Sequence, residues 1–172
     1  MKTSRILSVF AIIIGLTFAL SAQKIAIVDI NDVLSSMKEY EDAQTQLDKY
    51  SAEWQQQIQQ EFDKVKSMYN KLQAEQVLLS PEDKMKREDD IMKMESQVRE
   101  LQKQKFGPEG ELFMKRQELV SPIQDKVFAA IENYAAEKAI DLIFDKDGST
   151  GLLFTNPEYD KTGDIKRRLG IK

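Results

Sequence analysis

Three periodicities follow one another along the chain. In Lys24–Ile30 (KIAIVDI), Ile25, Ile27 and Asp29 fall on one side of a two-residue alternation and Ala26, Val28 and Ile30 on the other, which predicts a strand. From Asn31 to Leu79 the period lengthens to that of a helix. Tyr40, Ala43, Leu47, Tyr50, Trp54, Ile58, Phe62, Val65, Tyr69 and Leu72 recur in steps of three and four residues, with consecutive four-residue steps from Tyr50 to Phe62. This is a near-heptad seam carrying a stutter, which locally unwinds a supercoil. The opposite face is Gln, Glu, Lys and Asp, so the apolar stripe is narrow and suits one neighbouring helix rather than a globular core. Alternation returns in Asp141–Asp145 (DLIFD) and Leu152–Thr155 (LLFT). These read as two strands around the turn KDGST, residues 146–150. The terminal DIKRRLGIK predicts a short helix over residues 162–169, capped by Thr162 or Asp164.

Between the strand segments lies a reversal. In LLSPEDK, residues 78–84, Ser80 is a candidate N-cap, Pro81 suits the first helical position, and Asp83 sits three residues after the cap. A second helix therefore starts there, turned back on the first, with a tip near residues 79–82. Its apolar positions include Met85, Met92, Met94, Val98, Leu101, Leu112, Leu119, Ile123, Val127, Ile131 and Tyr134. FGPEG, residues 106–110, interrupts it, making Gly107, Pro108 and Gly110 hinge candidates. Pro122 offers a further bend or, with Ser121 before it, the start of another helix.

The predicted fold is α+β and mostly α: a long antiparallel helical hairpin inserted into a small β-body. Residues 23–39 give the first part of the body and 40–120 the arm. Residues 121–172 give the return helix and the second part of the body. The first strand pairs with the carboxy-terminal hairpin. At 1.5 Å per residue the arm from Tyr40 to Leu79 reaches on the order of 60 Å. Three short strands bury little surface, so sheets from several copies are expected to close into a shared barrel. Ile25, Ile27, Leu142, Phe144 and Leu153 are the candidate residues of that body.

Composition removes several functions. The chain has no cysteine and no histidine, so disulfides, thiolate zinc sites and a histidine base are excluded. Lys2 and Arg5 precede an apolar run from Ile6 to Leu20, shorter than the roughly 20 residues of a membrane span, and small residues follow at 21–22. Residues 1–22 thus read as a cleavable secretory signal. The net charge is −4, and losing that segment makes the chain more acidic. An acidic chain without a continuous basic face disfavours nucleic-acid binding and anionic lipid. No Walker-type phosphate loop is present. LIFDKDGST places Asp145 and Asp147 as in the first motif of haloacid-dehalogenase-type phosphatases. However, Ser149 separates Gly148 from Thr150, the rest of that fold has no room to follow, and Asp-Gly is sufficient as a turn.

Taken together, KIAIVDINDVL after a signal, the helical hairpin, and AIDLIFDKDG followed by a strand and DIKRRLGIK resemble the Skp/OmpH family of periplasmic chaperones. The resemblance implies a homotrimer with a central β-barrel and projecting helical arms. It also implies a function: an ATP-independent holdase, not an enzyme and without a cofactor, that keeps unfolded outer-membrane β-barrel proteins in the cavity between the arms. Candidate client contacts are Met68, Val77, Leu78, Leu79, Met85 and Met92 toward the tip, methionine being a flexible apolar surface. The competing expectation is a periplasmic coiled-coil spacer that docks a folded partner.

Overall fold

The computed structural model describes residues 23–148 and 151–171. The expected export segment and residues 149–150 of the expected turn lie outside them. The elements are β1 (Ile25–Val28), α1 (Ile30–Ser35), α2 (Lys38–Glu75), α3 (Pro81–Phe106), α4 (Glu111–Lys138), β2 (Leu142–Asp145), a 3₁₀ turn (Pro157–Tyr159) and α5 (Thr162–Arg168). They fall into an end unit, residues up to 33 with 127 onward, and an arm unit, residues 34–126.

In the end unit β1 and β2 pair in parallel, with Ile25 opposite Leu142 and Val28 opposite Asp145. The other side of β1 is taken as well: the Lys161 N–H donates to the Ile27 carbonyl at 2.8 Å, and the Asp29 N–H donates to Thr162 Oγ1 at 2.9 Å. A parallel strand covered on both faces is apolar throughout. Ala26 and Val28 are fully buried and Ile27 nearly so, together with Val33, Val127 and Ile165. Ile27 therefore belongs to its own subunit's core and is not an exposed assembly residue. Asp29 caps α1, accepting the Asp32 N–H at 2.8 Å, and Asp145 Oδ1 accepts the Ile30 N–H at 3.3 Å.

The carboxy-terminal hairpin does not form. Leu152–Thr155 has no strand structure: both sides of β1 are occupied, by β2 and by Lys161, and the segment does not pair with the outer edge of β2. The expected caps of α5 are also reassigned. Asp160 Oδ1 accepts the Thr162 N–H at 3.0 Å, while the Thr162 hydroxyl serves β1 instead. Burial works to raise the Asp160 pKa, but its bonds to Thr162 and the Lys146 ammonium outweigh that and lower it.

Two helices end in the same hydrogen-bond pattern. After α5, Ile171 N–H donates to Lys166 O and Gly170 N–H to Arg167 O; after α4, Ile140 N–H donates to Ala135 O and Ala139 N–H to Ala136 O. Both are Schellman endings, which need a left-handed residue. Gly170 supplies it at φ +74°, but Ala139 is held at φ +50°. Ala139→Gly is expected to stabilise the protein by about 0.5–1 kcal/mol, relief of Cβ strain exceeding the added chain entropy. A higher urea midpoint checks this; an unchanged or lower midpoint contradicts it.

In the arm unit, α2 and α3 meet along a heptad seam. Ile58, Val65 and Leu72 pack with Ile91 and Val98, flanked by Met68, Leu79, Met94, Leu101 and Phe106. The reversal forms as its residues dictate: Ser80 Oγ accepts the Asp83 N–H at 3.1 Å, with Pro81 opening α3. Arg87 reaches Glu75 at 2.5 Å across the hairpin. Three expectations need correction. Residues 31–79 are not one helix: Met37 adopts an extended conformation between α1 and α2 and is buried. The α3 seam uses Ile91, whereas Met85 and Met92 are exposed. Finally, α4 runs through Pro122 without restarting.

Candidate functional site

The candidate surface is the outer end of the arm. Once Ile58, Val65, Leu72, Ile91 and Val98 have filled the seam, the apolar residues outside it remain in solvent. Val77 is 88% exposed, Leu78 85%, Met85 70% and Met92 64%. Met85 and Met92 are one heptad apart and share a face of α3. Of the residues predicted to meet a client, these four are open, while Met68 and Leu79 pack against the seam. Sequence reasoning missed the exposure of Phe62 and Tyr69 on α2, having placed both in the stripe. Their spacing of seven could have identified an edge position flanking the Ile58–Val65–Leu72 row. A hydrogen bond from Tyr69 to the Glu95 carboxylate raises the phenol pKa.

The surface offers thioether, aliphatic and aromatic contact, and its flanks are charged. Ion pairs such as Lys84–Glu88 at 3.8 Å and Lys93–Asp89 at 2.5 Å lie along α3 and keep the polar side solvated. The Asp89 partner, first through its hydrogen bond, raises the Lys93 pKa and keeps that ammonium charged. Among the described residues no cluster of histidine, cysteine or carboxylate side chains has metal-binding geometry. Asp145, the candidate nucleophile of the phosphatase motif, is engaged at the start of α1.

The second region of interest is the arm's break. Phe106 ends α3 and Glu111 starts α4. Gly107, Pro108 and Gly110, with Met114, line an open hollow of about 560 Å³. The predicted interruption is therefore present.

The end unit carries a third apolar feature. Leu153 is 100% exposed and Phe154 85%; Ile25 and Leu142, paired across the sheet, are each more than two-fifths exposed. Phe144 is half-buried. Nearby, Tyr134 donates to Asp164 at 2.8 Å. Burial, then this hydrogen bond, pushes its pKa up to about 12, so the phenol remains a donor through the neutral range.

No curated protein matches this sequence. Among solved structures, an OmpH-like protein from Caulobacter crescentus CB15, provisionally named an outer membrane chaperone, superposes with a TM-score of 0.68. The two are 11% identical over 87% of this chain and 85% of that one. At that identity the shared property is the fold. The sequence profile of the family described as outer membrane protein (OmpH-like) matches residues 24–169, from β1 through the arm to α5. With both strand segments and the whole helical insertion inside that match, the chain belongs to the OmpH-like family.

Proposed function

We propose that this protein is an ATP-independent holdase of the periplasm, reached by way of a cleaved signal, that keeps unfolded outer-membrane β-barrel proteins from aggregating. It performs no catalysis and needs no cofactor. Three copies assemble through their end units into a shared β-barrel, and their arms surround the client. The observation that carries the reading is the open apolar group Val77, Leu78, Met85 and Met92 on the arm, each more than three-fifths exposed. Membership of the OmpH-like family and the fold shared with a chaperone-named protein support it.

Physically, a precursor of a membrane barrel exposes alternating apolar side chains and unpaired strand edges, and both promote self-association. Many weak contacts with flexible side chains cover such a chain without selecting one sequence. Because each contact is weak, release needs no nucleotide.

The test is dilution of a urea-unfolded β-barrel protein into buffer with the mature chain, followed by light scattering without ATP. Suppression near one trimer per client is expected. A variant carrying Val77→Ser, Leu78→Ser, Met85→Ser and Met92→Ser leaves the seam intact. Losing four apolar contacts, each a fraction of the roughly 1.5–3 kcal/mol of full burial, is expected to weaken capture by about ten- to a hundred-fold. Equal protection by the variant would remove the tip from the mechanism. No protection by the parent protein would remove the holdase reading altogether.

A further inference from the structure

We propose that the Phe106–Gly110 break is a fixed elbow rather than a free hinge, and that Lys105, clamped over Trp54, is the residue that sets it. The inference stands independently of the chaperone reading.

The backbone of the break is closed by hydrogen bonds. Gly107 N–H donates to Lys103 O at 2.8 Å, Gly110 N–H to Gly107 O at 2.9 Å, and Met114 N–H to Gly110 O at 3.1 Å. A Cβ on Gly107 would lie 2.4 Å from Lys103 O, and one on Gly110 2.8 Å from Gln104 O. The two glycines therefore permit a close backbone approach. Their presence does not signal looseness.

Side chains from three helices then fasten this turn. The Lys105 ammonium, at the end of α3, lies 4.9 Å from the Trp54 ring centroid on α2 and 2.6 Å from Glu111 Oε2, the first residue of α4. Its side chain is only 15% exposed. Phe106 meets Trp54 edge-on at 6.3 Å, and Trp54 stacks on Tyr50 at 5.6 Å. From the α4 side, Lys115 sits 5.8 Å from the Tyr50 ring and is held by Glu118 at 2.8 Å. That bond to Glu118 raises the Lys115 pKa. Lower on the same two helices Lys126 pairs with Glu39 at 2.6 Å. One cation thus joins the helix before the break, the helix after it and the helix alongside.

The sequence of α2 supplies an independent sign. Its consecutive four-residue steps run from Tyr50 to Phe62 and bracket Trp54. A stutter shifts the face a helix presents. Here the shift falls where the residues contacting α2 change from those of α4, at Lys115 and Lys126, to those of α3, at Lys105 and Phe106.

The chain has no cysteine, so spin labels can be placed at will. Ser96→Cys on α3 and Gln117→Cys on α4 replace exposed residues on either side of the break. Pulsed electron resonance on the mature protein, labelled chains diluted with unlabelled ones and no client present, reads their separation. A single narrow distance distribution is expected. Lys105→Met keeps the apolar stem and removes both the cation–π interaction and the ion pair. It is expected to raise the population outside the parent distance about ten-fold, the equivalent of about 1.4 kcal/mol. Glu111→Gln should give a smaller rise, and Lys105→Arg a parent-like distribution. A broad distribution in the parent protein overturns the elbow, and narrow distributions in both Lys105→Met and Glu111→Gln overturn the clamp. Should Lys105→Met lose helix content by circular dichroism, Glu111→Gln decides alone, since that side chain is half-exposed.

Discussion

Ile91→Ala is expected to destabilise the arm by about 3 kcal/mol, within the range for a fully buried isoleucine, while Met92→Ala, one residue along, shifts stability by no more than about 0.5 kcal/mol. Ile91 is 2% exposed and packs in the seam with Ile58, Val65, Leu72 and Val98; Met92 is 64% exposed. The seam is one side chain deep, so no second layer can close over the cavity left by three lost carbons. The neighbouring methionine, mostly in solvent, has little packing to lose, and alanine's helix propensity offsets part of that loss. Urea unfolding followed by helical circular dichroism, with hydrogen exchange of α3 amides, measures both. Equal losses at the two sites would mean that α3 is rotated by about one residue, roughly 100°, from the seam described.

That one-residue rotation marks the boundary between what the sequence determines and what packing decides. Counting back in sevens from Val98 gives Ile91, but the run Ile91-Met92-Lys93-Met94 offers apolar residues in competing frames. The pattern alone includes Met85, Met92 and Met94 among the apolar positions and passes over Ile91. Only the partner row on α2 selects among them. Where the chemistry is local, the reading succeeds. Ser80, Pro81 and Asp83 specify the reversal through one side-chain bond and one ring, and the glycines and proline of FGPEG specify the break. Where a feature lacks a local signal it goes unseen. Met37 separates α1 from α2 without a side-chain cap, glycine or proline, and Ala139 takes a backbone conformation ordinarily left to glycine. Thr162 was legible as a capping residue, but its hydroxyl accepts a bond from Asp29, more than a hundred residues away.

The same distinction applies to the candidate surface. An apolar residue in a helical stripe is counted as core until the stripe proves wider than its partner. Phe62 and Tyr69 belong to that surplus, as do Met85 and Met92. Val77 and Leu78 were legible as exposed because they stand at a turn, although Leu79 beside them folds back onto the seam.

Leu153→Glu combined with Phe154→Glu is expected to abolish assembly of the end units. The reason differs from the one the strand pattern first suggests. The sheet is small, two strands of four residues, but β1 is flanked on both sides, and Ala26, Val28, Val33, Val127 and Ile165 give the unit a core of its own. What the unit leaves open is Leu153 and Phe154, at 100% and 85% exposure, and the outer edge of β2. Leu-Leu-Phe-Thr has strand propensity but pairs with no edge of its own chain among the described residues, and such propensity is realised only against a partner. In the trimer proposed above, another copy would supply that partner. Two large apolar side chains per copy are worth about 1.5–3 kcal/mol each when buried, and glutamates in their place bring unpaired charge into the contact. Light scattering is therefore expected to find a three-chain particle for the parent protein and a folded single chain for the double variant at the same micromolar concentration. The dissociation midpoint should rise by at least about a hundred-fold. An unchanged mass for the variant would place the contact elsewhere on the end unit. A single-chain mass for the parent would leave Leu153 and Phe154 without a partner and the trimer without support.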